Sequence, residues 1–431
     1  MAFLRRCVKS GLRYRKNLES FSGLSVVLSH RNYCAEKLAL KSEPKHDWNR
    51  AVSDAEKIVG YPTSFLSLRC LLSDEIANVA LHLRQLVGSD HPLTKTAKHL
   101  VYNGKTNMQA WGLIVLLVSK AAGCSPNIPD MEMDKSAGVL HSQRVIAEVT
   151  EMIRTSHLLH QGLINLQPLE NFGNDLSSES DTIFGNKIAL LSGDYLLGNA
   201  SVELSKLRNH ELNALISSTG RDLAESNFIG DRDDQNIPLP SDPKKKSPES
   251  QDATSDTNSM DIDNLKPMCL KGVMGNPEKE WAVRNILSAG GLLGKGCQGA
   301  LMVAGLDEDM QKQGYLFGKN LALAWQACID LEPFKQETIP AKMQFSLVSA
   351  PVLFHLDHDH SLYEEIRKGH KSVDNINFEY VHSEVRKGPG LEMTRNLGRK
   401  YCEAAMKVLS KLENTDARVA LENIILAMHD M

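Results

Sequence analysis

Residues 148–167 read EVTEMIRTSHLLHQGLINLQ, and their spacing decides the kind of fold open to the chain. Val149, Met152, Ile153, Leu159, Leu163 and Leu166 recur at steps of three, four and six. That is the pattern of a helix with one buried face, and it predicts a helix running to residue 166. Positions 161, 162 and 165 then fall on nearly one side of it, because four residues turn a helix by about 400°. Gln161, Gly162 and Asn165 occupy them: two amides and a glycine, without a carboxylate.

Working outward, the 431 residues carry 42% hydrophobic and 24% charged side chains, ordinary values for a soluble globular protein with a large core. The formal net charge of −4 gives no global attraction to nucleic acid or an anionic membrane. Eight cysteines are scattered without a CxxC pair, which points to a reducing compartment and away from structural zinc or a disulfide framework. The apolar run from Gly112 to Val118 is too short to span a bilayer, so a core helix is expected there and no transmembrane segment.

Residues 1–35 differ. Arg5, Arg6, Lys9, Arg13, Arg15, Lys16 and Arg31 face a single acid, Glu19, with apolar residues spread among them. Basic, amphipathic and acid-poor, the stretch reads as a mitochondrial transit peptide, which implies a matrix location, soluble or peripheral to the inner membrane.

Helical periods are predicted at 48–61, 73–87, 92–103, 107–122, 136–166, 182–207 and 211–228. They resume at 278–304, 307–329, 338–355, 361–368, 372–387, 391–412 and 415–428. No alternating β-branched run stands out. Residues 231–267, rich in Pro, Ser, Asp and Lys, read as a disordered insertion. The expectation is one all-α domain, 48–230 and 268–431, interrupted by that insertion.

Three blocks resemble the trans-polyprenyl diphosphate synthase family. Residues 148–165 are similar to its EMIxTxxLLHDDxxD helix. Phe184-Gly185-Asn186-Lys187 through Ala189-Leu190-Leu191-Ser192-Gly193-Asp194-Tyr195-Leu196-Leu197 is similar to its FGNxxAVLAGDFLL helix. Phe317-Gly318-Lys319-Asn320-Leu321-Ala322-Leu323-Ala324-Trp325-Gln326 is similar to YGxNLGxAFQ, the run before its second aspartate motif. The resemblance implies an isoprenoid synthase-type helical bundle. In active members two DDxxD motifs hold magnesium against an allylic diphosphate, a dense anion that needs hard oxygen ligands.

Here the first motif's aspartates align with Gln161, Gly162 and Asn165. No Arg or Lys follows between Gln167 and Asp181. In the second motif the aligned positions are Ile329, Asp330 and Pro333, and the family's Lys-Thr pair aligns with Ser288-Ala289. The resemblance therefore implies no catalytic and no metal-ligating residue in this chain. It points instead to the non-catalytic subunits of heteromeric long-chain synthases. A catalytic partner would supply magnesium and both aspartate motifs, commonly in a heterotetramer, and the complex would build the ubiquinone side chain. Family dimers meet near the 184–207 helix, so Ile188, Leu191, Tyr195, Leu196, Ala200 and Leu204 are the expected subunit interface. The alternative is an isoprenoid-binding or adaptor protein that has left the synthase.

Other residues have plain readings beside sharp ones. His355-Leu356-Asp357-His358-Asp359-His360 has metal-ligand types at tight spacing but reads as a helix end and turn. His157 and His160 read as packing residues, and Asp194 as a buried structural acid. Asp330 and Glu332 read as a solvated relic face, and Cys297 and Cys328 as small core residues.

Overall fold

Amphipathic periods fold into α1 (Trp48–Val59), α2 (Trp111–Ala122), α3 (His141–His160), α4 (Leu176–Lys206) and α5 (His210–Glu225). After the insertion come α6 (Pro277–Asn285), α7 (Gly291–Val303) and α8 (Glu308–Leu331). The chain closes with α9 (Ala350–His358), α10 (Tyr363–Ile366), α11 (Phe378–Lys387), α12 (Gly390–Leu409) and α13 (Asp416–His429). This is a computed structural model, and it describes residues 47–60, 111–128, 133–134, 138–164, 176–243, 272–340 and 343–429. The basic N-terminal stretch and the helices expected at 73–87 and 92–103 lie outside the described residues. A two-residue antiparallel ladder, Met133–Asp134 with Val139–Leu140, precedes α3.

Local signals explain most boundaries. Asp47 caps α1 by accepting from the Asn49 amide, and Gly60 ends it in the left-handed region at φ 89°. Asn209, Asn276, Asp307 and Asn377 cap α5, α6, α8 and α11 in the same manner.

α7 is the centre of the bundle. It packs against α2, α3, α5 and α8 and its apolar residues Leu292, Leu293, Cys297, Ala300 and Leu301 are all buried. A helix surrounded this way needs small residues on several faces. A Cβ on Gly294 would sit 2.8 Å from the Tyr315 ring, one on Gly296 2.6 Å from Thr150 Oγ1, and one on Gly299 2.8 Å from Leu212. Across the α7–α8 contact, a Cβ on Gly318 would sit 2.6 Å from the Leu293 carbonyl oxygen. A π-helical turn, Ile286–Gly290, joins α6 to α7, so 277–303 is continuous. By length and mean hydropathy of 1.2 this run could cross a membrane, but 72% of the relevant window is buried inside the protein. That is the signature of a core helix. A second, smaller core of Phe334, Val352, Leu356, Ile366, Val381 and Val385 unites α9, α10 and α11.

Four sequence expectations change. α3 stops at His160, with Gln161 and Gly162 in a turn. Leu163 keeps the helical period but is 42% exposed, so no packing sustains the helix through a glycine, a weak helix former. Residues 338–349 are not helical where described, because α9 begins only at Ala350-Pro351, with Pro at its first turn. The periods at 361–368 and 372–387 break into short 3₁₀ and α turns before α11.

Finally, 231–243 is ordered. Leu239 is 1% exposed in the second core. Asp233 accepts from the Gln235, Ile237 and Val373 amides. Buried Glu280 and Arg284 bind both flanks of the insertion: Arg284 donates to the Ile229 and Leu239 carbonyls. Glu280 accepts from the Ser241 and Gly275 amides. The rest of the insertion, 244–267, lies outside the described residues.

Gly318→Ala is expected to destabilise the chain by about 1–3 kcal/mol through overpacking against backbone. Gly198→Ala meets nothing within 4 Å and should stabilise by up to about 1 kcal/mol. Urea denaturation of both variants checks the contrast, and an equal effect would contradict the tight α7–α8 approach.

Candidate functional site

The end of α3, the π turn and the end of α8 converge on a cleft of about 1100 Å³. One wall carries His157, His160 and Gln161 from α3. The opposite wall carries Gln326 and Asp330 from α8, with Asn285 and Ser288 from the π turn and its approach. Ser226, Asn227, Arg232 and Pro238 close a third side. Leu163, Ile164, Leu190, Ile237 and Val348 contribute apolar surface.

The resemblance blocks are positioned by specific contacts. His160 packs its ring on Gly193, where a Cβ would collide with it. Its Nε2 lies 3.3 Å from the Leu190 carbonyl and 3.4 Å from Asp194. Ser156 donates to the Gly193 carbonyl at 2.9 Å. The Asn186 side chain accepts from the Ile164 amide at 2.9 Å and donates to its carbonyl at 2.7 Å, clamping the chain after α3 onto α4. Asp194 is not the buried acid expected: its side chain is 58% exposed.

Gln161, in the turn, donates to His157 Nε2 at 2.9 Å. Burial, with His160 and Arg154 nearby, pushes the His157 ring down to about 4, so it is neutral at neutral pH and accepts that bond. Gly162 is buried in the turn, and Asn165 lies outside the described residues.

The second wall overturns the expected solvated face. Asp330 is 6% exposed. Its Oδ2 accepts from Trp281 Nε1 at 2.7 Å and from the Ala350 amide at 2.9 Å. Its Oδ1 accepts from Gln326 Nε2 at 2.8 Å. The carboxylate thus ties α8 to α6 and to the start of α9. Burial raises it to about 6 against the lowering pull of the three donors. Ile329 points outward at 39% exposure, and Pro333 sits in a 3₁₀ turn beyond α8. Glu332 pairs with Lys335 at 2.5 Å on the surface.

Among the described residues no three His, Cys, Asp or Glu side chains converge as a metal site. His355 is buried against Gly388 and His360 bonds the Leu356 carbonyl. Cys297 and Cys328 are core residues. Of the expected interface, Ile188, Leu196, Ala200 and Leu204 are buried in the chain's own core and Tyr195 is half-buried. Only Leu191 faces outward. The outward stripe of α4 is Ile183, Leu190, Leu191 and Val202, each about half exposed.

Sequence reasoning passed over Asn227, Arg232 and Asn285. Arg232 lay within a segment whose composition reads as disordered. Asn285 shows itself only through the π turn. Gln326 closes the FGKNLALAWQ run and was within reach.

The helical bundle and its central cleft define an isoprenoid synthase-type fold. Heptaprenyl diphosphate synthase from Staphylococcus aureus superposes with a TM-score of 0.54 at 14% identity, covering 90% of this chain and 99% of that one. No protein-family model matches the chain. The all trans-polyprenyl-diphosphate synthase PDSS2 of Mus musculus is 36% identical over 387 residues, 89% of this chain and 88% of that protein. The Homo sapiens PDSS2 has the same identity and coverage. A probable mitochondrial hexaprenyl pyrophosphate synthase of Yarrowia lipolytica is 26% identical over 90% of each chain. The chain belongs to the trans-polyprenyl diphosphate synthase family.

Asp330→Asn tests the buried tie. Asn can accept from Trp281 and Ala350 and donate to a flipped Gln326 amide. From the ordinary aspartate value of 3.8 up to about 6, the folded wild type holds a proton that the unfolded chain releases. Wild-type stability therefore falls as pH rises through that window, on the order of 3 kcal/mol. The variant lacks this loss. Denaturation of both proteins from pH 4 to 7 checks it, and a constant difference between them would contradict it.

Proposed function

We propose that this chain is the non-catalytic subunit of a heteromeric long-chain polyprenyl diphosphate synthase. The observation that carries the reading is the commitment of Asp330. Both its oxygens are engaged, by Trp281, Gln326 and the Ala350 amide, and the facing wall offers Gln161 in a turn instead of carboxylates on a helix. Magnesium demands near-octahedral oxygen ligands, typically with carboxylates. This donor set does not fit a magnesium–diphosphate cluster, so the partner holds the metal and performs the chemistry.

The outward stripe of α4 is the docking face. Gly198 and Ser201 lie exposed between its apolar residues, which lets a partner helix approach closely. Asn186 on Ile164, and Ser156 and His160 on Gly193, brace that helix. An interface that is isologous in a homodimer can become pseudo-symmetric with a divergent partner, and two such pairs make a heterotetramer. The relatives named mitochondrial hexaprenyl pyrophosphate synthases support a mitochondrial location, and the family resemblance implies a product that becomes the ubiquinone side chain.

The full chain, given magnesium, farnesyl diphosphate and isopentenyl diphosphate, should yield no elongated product. Co-expressed with a homologue carrying two intact DDxxD motifs, it should co-purify with that homologue and support elongation. Leu191→Glu, on an exposed site, should cut co-purification about tenfold or more without unfolding the chain. Elongation by the chain alone would contradict the reading.

A further inference from the structure

The cleft is lined by two carboxylates that protein donors already engage, Asp330 and Asp374, the latter by Gln344 and Ser372, and its remaining polar groups define a guest other than a diphosphate. At about 1100 Å³ it lies at the upper end of small-molecule sites, roughly 300–1,000 Å³. Three amides on its walls each commit one N–H to the protein, which fixes the side chain. Asn227 Nδ2 donates to the Leu223 carbonyl, Asn285 Nδ2 to the Trp281 carbonyl, and Gln326 Nε2 to Asp330. Their carbonyl oxygens are what a ligand would meet. Such oxygens repel an anion and accept from a hydroxyl.

The cationic side is equally spent. Arg284 is bound to Glu280 and to two backbone carbonyls. Arg232 gives Nη1 to the Asn236 carbonyl at 2.8 Å and Nη2 to the Ser226 carbonyl at 2.7 Å. Its Nε alone is buried without a protein acceptor. With both Nη atoms held on backbone carbonyls, the guanidinium is not free to turn its fork onto a diphosphate, but a remaining N–H can donate to a single neutral oxygen. Among the described residues no lysine lines the cleft, and the apolar wall gives room for a chain.

We propose that this cleft binds, without a metal, an uncharged hydroxylated amphiphile: an alcohol or phenol head on an apolar tail. The head's O–H donates to the Asn227, Asn285 or Gln326 carbonyl oxygens and its lone pair accepts from the Arg232 guanidinium, with Ser288 beside it. The inference rests on the non-catalytic reading, since a diphosphate-binding cleft would choose a different ligand.

Tritiated farnesol, an uncharged isoprenoid alcohol, tests it by equilibrium dialysis against the purified full chain. Binding should saturate and be the same in EDTA as in magnesium. Asn227→Leu and Ser288→Trp should each weaken it about tenfold or more while keeping the wild-type circular dichroism. Farnesyl diphosphate should compete no better with magnesium than without. Absence of saturable farnesol binding to the wild-type chain overturns this inference and leaves the non-catalytic reading standing. Binding untouched by both folded variants overturns the assignment to this cleft. Tenfold tightening of farnesyl diphosphate by magnesium overturns both readings.

Discussion

A buried carboxylate with three donors on it sets the character of this protein. Asp330 joins α8 to the Trp281 indole of α6, to the first amide of α9 and to Gln326 one turn back. Removing a charge from water is unfavourable unless hydrogen bonds replace the lost hydration. Here they do so only in part, as the upward displacement of the Asp330 carboxyl shows. The carboxylate works as a girder between helices, with both its oxygens engaged by protein donors.

The rest of the scaffold is consistent with a fold retained for shape. α7 remains encircled at glycine-tight distances. His160 and Ser156 still lock α3 onto Gly193, and Asn186 still holds the chain that follows α3. Glu280 and Arg284 gather both ends of the insertion onto α6. These contacts fix the relative positions of α3, α4 and α8, the elements that shape the cleft and present the outward stripe of α4. Rigidity of that stripe matters for association, because a preorganised surface pays less ordering entropy when a partner docks.

Much of this was legible in the residues. The helical periods, the three family-like blocks and the absence of carboxylates at positions 161, 162 and 165 lead to the right fold and family. What escaped depends on contacts far apart in sequence. Asp330 looks like a surface relic until Trp281 and Ala350 are brought to it. Residues 231–243 look disordered because composition averages over a long window, whereas Leu239 and Asp233 anchor them individually. Leu163 keeps the helical period past His160 although it is 42% exposed, so α3 appears longer than it is. On α4 the sequence points to the face of Ile188, Leu196, Ala200 and Leu204 as the interface. That face is buried in the chain's own core, and the outward one carries Ile183, Leu190, Leu191 and Val202.

The central claim is that this cleft, its carboxylates engaged by protein donors, does not hold a divalent cation beside a pyrophosphate. Electron paramagnetic resonance of Mn²⁺ titrated into the full chain with inorganic pyrophosphate reads this directly. The account predicts the spectrum of the Mn²⁺–pyrophosphate complex free in solution, unchanged by the protein. A saturable protein-bound Mn²⁺ signal that requires pyrophosphate and is lost in Asp330→Asn would contradict it.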